Sequence, residues 1–188
     1  MSVGYRWKKL IYGRLKCSID LCFSASTNKL GICTCIRDEE GCFVLAKSMW
    51  FTLLCSIDVG EALGLYHAIK WIHDLRLPNV DSKRVVDYFN RSNDDITEYG
   101  IIMDINIYYC SLYLTNSRVG FTRRQANEVV HELTNASTSL LSSRIFDDLP
   151  TCINNLIANE MYKHIFLKKS EAPHHHSYGS TKYKKLNK

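Results

Sequence analysis

The chain has 188 residues, of which 46% are apolar and 23% charged, with nine glycines and only three prolines. This composition suffices for one domain with a sizeable core, and it excludes collagen-like, proline-rich and wholly disordered chains. No apolar stretch reaches the roughly 18 to 20 residues of a membrane helix, and no apolar signal region follows the basic start. We therefore expect an intracellular protein of the nucleus or cytoplasm, without a signal peptide or membrane contact.

The formal net charge of +5 is distributed unevenly along the chain. Residues 1–16 and 168–188 each carry +5, whereas residues 17–167 carry −5. Basic ends can contact the phosphate backbone of a nucleic acid, and they are at least as typical of solubilising tails. The consecutive histidines 174–176 indicate an unstructured tail rather than a metal site.

The eight cysteines lie mostly inside apolar stretches, without a Cys-x-x-Cys motif or a zinc-like spacing with histidine. Their even number is compatible with disulfides, but no secretion signal accompanies it. Free buried cysteine packs as a small hydrophobe, so we expect reduced, structural thiols.

Three strands are predicted at the start of the chain. Leu15 to Phe23 alternates apolar and polar residues, and Leu30 to Arg37 and Phe43 to Phe51 have strand composition. Asp38 to Gly41 predicts a tight turn between the second and third strands. These strands are expected to form an antiparallel meander.

Helices dominate the remainder of the chain. Ser56-Ile57-Asp58 opens the first helix, where Asp58 and Glu61 predict a capping box, and Pro78 ends it. The later elements are a short extended piece at Asn79-Val80, helices at Ser82–Phe89 and about Asp95–Leu114, a strand at Arg118–Arg123, and helices at about Gln125–Leu141 and Pro150–Tyr162. The order β-β-β-α-β-α-α-β-α predicts an α/β fold with a mixed five-stranded sheet and helices on both faces.

Three acidic residues stand where they would converge on such a fold. Asp20 interrupts an apolar strand, Glu61 shares the inward-facing stripe of the first helix, and Asp81 closes the short fourth strand. Converging carboxylates repel one another unless a cation lies between them, and oxygen ligands select Mg²⁺ or Mn²⁺. Taken alone, Glu61 is better explained by the capping box and Asp81 equally well by a helix cap. Asp20 is hardest to explain otherwise, because aspartate is depleted in strands and costly to bury unpaired.

The sequence resembles the plant ribonuclease H-like domain, which is related to the ribonuclease H region of non-LTR retrotransposon reverse transcriptases. The resemblance covers roughly residues 7–160, and its motifs are specific in combination. The matching stretches are Leu15 to Asp20, Gly31 to Gly41, Glu61 to Leu65, Asp81 to Asp87 and Arg123 to Asn127. It implies a ribonuclease H-like domain at 14–162 between a basic lead-in at 1–13 and a disordered basic tail at 163–188.

The resemblance also implies an activity, which is cleavage of the RNA strand of an RNA–DNA hybrid with two Mg²⁺ or Mn²⁺ ions that Asp20 would bridge. The metal ligands fall on Asp20, Glu61 and Asp81, and the last catalytic aspartate of the family falls on His131. A neutral imidazole there brings no negative charge, so the second ion should bind more weakly. Two further departures are the bulky Leu21, which we expect to crowd the substrate, and a fourth strand shortened by about four residues, which would displace Asp81.

The expected partner is an RNA–DNA hybrid or another nucleic acid, bound by a monomer. Candidate nucleic-acid contacts are Lys83, Arg123, Arg124 and Asn127, although the three basic residues are equally typical of an ordinary solvated surface. The departures leave open a catalytically degenerate nucleic-acid-binding or interaction module of retrotransposon origin, or a decayed transposon fragment.

Overall fold

The structure is a computed structural model that describes residues 10–77, 80–82, 96–114, 127–138 and 142–171, and only the backbone of 80–82 and 163–171. Its sheet has five strands in the order β4-β1-β2-β3-β5. The strands are β1 (Leu15–Ser24), β2 (Lys29–Arg37), β3 (Phe43–Thr52), β4 (Val80–Ser82) and β5 (Arg144–Phe146). β1, β2 and β3 form the predicted antiparallel meander, and β4 joins β1 in parallel, so the mixed sheet is confirmed.

Helices cover both faces of the sheet, also as predicted. They are α1 (Ile57–Asp74), α2 (Glu98–Tyr113), α3 (Glu128–Thr138) and α4 (Thr151–Glu171). α1 and α2 pack on one face, with Cys17, Ile19 and Ile32 in the shared core. α3 and α4 pack on the other face, around Cys33, Cys35 and Ala46. No helix within the described ranges is long and apolar enough to cross a membrane.

The alternation of β1 decides which side chains reach which face. Cys17 and Ile19 join the core beneath α1, whereas Lys16, Ser18 and Asp20 belong to the α3 side. At the far end of that side, Arg37 donates to a carboxylate oxygen of Glu160 on α4 at 2.6 Å, although Arg37 is only 3% exposed. The burial of this cation is therefore compensated by an ion pair that fixes α4 to β2.

The cap of α1 and the length of α4 differ from the prediction. Ser56, rather than Asp58, is the N-cap, because its hydroxyl accepts from the Val59 amide at 3.3 Å. Glu61 is consequently in the second turn, and the predicted capping box is wrong. α4 continues to Glu171, so residues 163–171, which we expected in a disordered tail, are helical.

The fifth strand of the described sheet lies at a position where no strand was predicted. It is β5, which pairs antiparallel with β3 at one edge of the sheet. A three-residue strand gives too short a pattern to recognise from alternation. The predicted strand at 118–123 lies outside the described residues, as does most of the predicted helix at 82–89, whose first residue, Ser82, instead ends β4.

The tight turn and the free thiols agree with the sequence. The Asp38 carboxylate accepts hydrogen bonds from the backbone amides of Glu40 and Cys42. Gly41 has a φ of 89°, which residues other than glycine rarely adopt. All eight cysteines lie in the described part of the chain, and none forms a disulfide.

Added methyl groups test how tightly the two faces are packed. At Gly31 a Cβ would lie 2.7 Å from the Trp50 ring and 2.6 Å from the Cys22 sulfur. We expect Gly31→Ala to lower the free energy of unfolding by about 1–3 kcal/mol through overpacking. Chemical denaturation measures this change.

Gly60→Ala is the matched control. Its Cβ would meet only the far end of the exposed Phe23 ring at 2.9 Å, and alanine favours a helix by roughly 1 kcal/mol over glycine. Gly60→Ala should therefore be neutral or stabilising. Equal destabilisation by the two variants would contradict the packing described here.

Candidate functional site

Asp20 lies in the middle of the sheet on the face that α3 covers. It pairs in register with Cys33 of β2, which pairs in turn with Ser48 of β3. The Asp20 side chain is 15% exposed, so it is reachable from solvent at the margin of α3. A carboxylate placed in a strand at this depth requires a partner.

The partner of Asp20 is His131. The Nδ1 atom of His131 lies 2.9 Å from Oδ2 of Asp20, and the imidazole is 24% exposed. Its other ring nitrogen, Nε2, lies 3.4 Å from the side-chain amide of Asn135 one turn further along α3. The structure thus brings together the first and last positions implied by the family resemblance, which are 111 residues apart in sequence.

Two further polar contacts fix α3 to the same strands. The Asn127 side-chain amide donates to the Ile19 carbonyl at 2.8 Å, immediately before Asp20. Near the other end of α3, the Ser137 hydroxyl lies 3.2 Å from the Cys33 sulfur. Asn127 was predicted to contact nucleic acid, but its amide is engaged within the fold and positions α3 against β1.

The thiols around Asp20 are held in the protonated form. Burial raises the pKa of Cys22 to about 11, with further contributions from Cys33 and the negative charge of Asp20. Burial also raises the pKa of Cys33, against the opposing effect of its hydrogen bonds to Ser137 and Thr134. Because the thiolate is the metal-binding form, these cysteines pack as small apolar groups beside the carboxylate.

The other two predicted ligands are placed differently. Glu61 is half-buried on α1, the helix on the opposite face of the sheet. Asp81 pairs in register with Lys16, four residues before Asp20, which is about 13 Å along a strand. The register of β4 thus places the backbone of Asp81 beside Lys16, which is only 5% exposed, rather than beside Asp20.

The described donor set fits one divalent ion better than two. Asp20 and His131 offer a carboxylate and an imidazole in contact, and Mg²⁺ favours oxygen ligands over imidazole. Among the described side chains, no three His, Cys, Asp or Glu residues are grouped so that they could hold a metal ion together. A second ion would need another carboxylate beside Asp20. The register of β4 instead pairs Asp81 with Lys16.

Leu21, which we expected to crowd a substrate, lies on the other face. Its side chain contacts the core beneath α1, and a Cβ at Gly64 would lie 3.1 Å from it. That expectation was wrong because neighbouring residues of a strand point to opposite faces. Lys83, Arg123 and Arg124 lie outside the described residues.

Comparisons with known proteins agree with the fold. A family model described as reverse transcriptase-like matches residues 18–137. Among solved structures, LC11-RNase H1, isolated from compost by a metagenomic approach, matches with a TM-score of 0.55 at 15% identity. The match covers 69% of this chain and 99% of that one, and at this identity it shows a shared fold.

More distant structural matches have low scores. The simian T-cell lymphotropic virus intasome in complex with a PP2A regulatory subunit gives a TM-score of 0.36 at 11% identity, covering 100% of this chain and 65% of that one. Thermus thermophilus RuvC gives 0.29 at 12% identity, covering 83% and 96%. At scores this low, neither match is evidence for the fold of this chain. No curated protein matches the chain.

The role of Asn127 can be tested by removing its amide. We expect Asn127→Ala to lower the free energy of unfolding by about 1–2 kcal/mol, because the Ile19 carbonyl loses its donor. The variant should also change the NMR signals of the His131 ring nitrogens, since α3 is no longer held beside Asp20. Asn135→Ala is the control, because Asn135 is exposed and its contact is longer. The positioning role fails if both variants change stability equally and leave the imidazole signals unaltered.

Proposed function

Because the chain belongs to the reverse transcriptase-like family of ribonuclease H-like domains, we propose that it binds RNA–DNA hybrids and cleaves the RNA strand slowly with a divalent metal ion. The contact between Asp20 and His131 carries this proposal. It joins a partly exposed carboxylate and an imidazole on one face of the sheet, at the positions that the family resemblance assigns to metal binding. The hybrid would be recognised by its shape and its 2′-hydroxyl groups.

In this proposal the described residues hold and orient a single ion. Asp20 would be the main ligand, with His131 beside it. The bound ion would supply an activated water and stabilise the developing charge on the scissile phosphate. Asn127 would keep α3, and with it His131, at a fixed distance from Asp20.

Slow turnover follows from the donor set. His131 brings no negative charge to the ion, and the register of β4 separates Asp81 from Asp20 by four residues. A displacement of about 1 Å in a catalytic group can cost roughly 100-fold in rate. Lys83, Arg123 and Arg124 remain proposed phosphate contacts on the basis of the sequence.

A second candidate function is a nucleic-acid-binding module of retrotransposon origin that does not cleave. The register of β4 favours it, because the backbone of Asp81 pairs with Lys16, four residues before Asp20, and not with Asp20 itself. The two candidates share hybrid binding and differ only in chemistry, so one assay separates them.

Replacing Asp20 provides that assay. In the cleaving form of the proposal, Asp20→Asn abolishes hydrolysis of a labelled RNA–DNA hybrid in MgCl₂ or MnCl₂ and leaves hybrid binding measurable. Asparagine keeps an acceptor oxygen for His131, so the fold should be retained. Asp104→Asn, which alters an exposed carboxylate on α2, is the control and should cleave normally. Absence of cleavage by the unaltered chain, with hybrid binding retained, would favour the second candidate.

The position of His131 can be tested by supplying the missing carboxylate. We expect His131→Asp to lower the melting temperature without metal, because two carboxylates then face each other. Added MgCl₂ should raise it again, because a bound ion at 100 times its dissociation constant adds about 2.7 kcal/mol to the free energy of unfolding.

His131→Asn is the matched control for this experiment. It removes the imidazole without adding charge, so its melting temperature should rise less with MgCl₂ than that of His131→Asp. If His131→Asp responds no more than His131→Asn, the assignment of this position to metal binding is wrong.

A further inference from the structure

α2 presents a row of large apolar side chains to solvent. They follow one another at intervals of three or four residues, so they lie on one side of the helix, and each is between 40% and 61% exposed. We call this row the α2 stripe, and its members are Ile101, Ile105, Tyr108 and Leu112. The residues of α2 that are buried in the fold, such as Met103, Asn106 and Cys110, lie on another side of the helix. A contiguous exposed apolar row of this kind indicates a contact surface.

The helix that carries the α2 stripe is fixed to the fold from its other side. Asn106 has no exposed surface, and its side-chain amide donates to the Ala62 carbonyl of α1 at 2.9 Å. The Thr97 hydroxyl caps α2 by accepting from the Gly100 amide at 3.1 Å. A partner would therefore meet a preformed surface, which reduces the entropy lost on binding.

The charge around the α2 stripe is negative. Glu98 and Asp104 are the only charged residues of α2, and both are exposed. The last turn of α2 holds no basic residue to offset the negative end of the helix dipole. The neighbouring α1 carries three acidic residues against one lysine, Lys70. A partner that matches this surface is therefore apolar along one side and positively charged beside it.

This charge argues against three other occupants. A nucleic acid or an anionic membrane would be repelled by the carboxylates of Glu98 and Asp104, and helices that lie on membranes carry lysine or arginine beside their apolar side. A second copy of α2 would bring the same two carboxylates without a compensating cation, and like charges across an interface oppose association.

We propose that the α2 stripe binds an amphipathic helix of a partner protein whose apolar side is flanked by lysine or arginine. The apolar residues of the partner would pack on the stripe at helical spacing, and its cations would lie beside Glu98 and Asp104. Ile101 and Leu112 are about 16 Å apart along the helix axis, so three to four turns of a partner, roughly 11–14 residues, would cover the stripe. α2 lies on the opposite face of the sheet from Asp20, so the inference does not depend on cleavage.

Fluorescence anisotropy with a labelled synthetic helix tests the inference on the full chain. The probe is a peptide of about 15 residues with leucine at helical spacing and lysine at the other positions. Replacing the centre of the stripe, as Ile105→Ala with Tyr108→Ala, should weaken binding by roughly 10- to 100-fold. Alanine favours a helix, so α2 should remain folded in this variant.

Ile145→Ala with Tyr162→Ala is the matched control. It removes the same two residue types from exposed positions on β5 and α4. This variant should bind the lysine peptide as the unaltered chain does. Equal loss of binding in the two double variants would show that the peptide adheres to any exposed apolar residue, and it would overturn the inference.

Asp104→Lys tests whether charge selects the partner. It should weaken binding of the lysine peptide by roughly 2- to 5-fold and strengthen binding of the same peptide with glutamate in place of lysine. Asp148→Lys makes the same change at an exposed residue after β5 and should alter neither affinity. If Asp104→Lys leaves both affinities unchanged, the surface does not select a basic helix and the inference is wrong.

Sedimentation of the full chain separates a partner helix from a second copy of this chain. We expect the chain to sediment as a monomer with the α2 stripe free. A dimer that dissociates on Ile105→Ala with Tyr108→Ala would show that a second copy covers the stripe, and it would overturn the inference. None of these measurements involves a hybrid, so a result against the proposed function leaves this inference standing.

Discussion

The attachment of α3 to β1 is the constraint on which the candidate site depends. Asn127 bonds the backbone of Ile19, and His131 contacts the carboxylate of the next residue, so backbone and side chain of β1 are both fixed by one helix. At the other end of α3, Ser137 contacts Cys33 in the neighbouring strand. Between these polar contacts, Val130 and Leu133 are buried against the sheet. The apolar contacts hold the helix on the sheet, and the polar ones set its register along the strands.

This attachment also explains how an aspartate is tolerated in a central strand. An isolated buried carboxylate is costly in an apolar environment. Asp20 is partly exposed and contacts an imidazole, which can donate a hydrogen bond or carry a compensating charge. The same contact that stabilises Asp20 occupies one of its oxygens, so a metal ion has to compete with His131 for this carboxylate. Stability and metal affinity at this position are therefore opposed.

Much of the fold could be predicted from local pattern, whereas the register of β4 could not. Alternation along β1 correctly separated Asp20 from the apolar residues Cys17 and Ile19, because the two-residue period of a strand is strict. The Asp20–His131 contact joins residues 111 positions apart, and only the family resemblance suggested it. The pairing of Asp81 with Lys16 depends on the path by which the shortened segment before β4 joins the sheet. A strand of three residues is too short to show a periodic pattern, so the sequence did not predict this register. Ser56 was overlooked as a cap because Asp58 and Glu61 also have the residue types of a capping box.

The charge distribution determines which surface can attract a polyanion. The globular part of the chain, 17–167, carries −5, so its average field opposes the approach of nucleic acid. At physiological ionic strength this field is screened beyond about 8 Å. Contacts are then decided by charges within that distance, such as Lys47 and Lys70 around His67 on one face. On the other face Asp20 adds negative charge, which a bound divalent cation would offset. A hybrid that approaches the Asp20 face therefore meets a negative local potential, and a divalent ion bound there should favour hybrid binding by offsetting that charge.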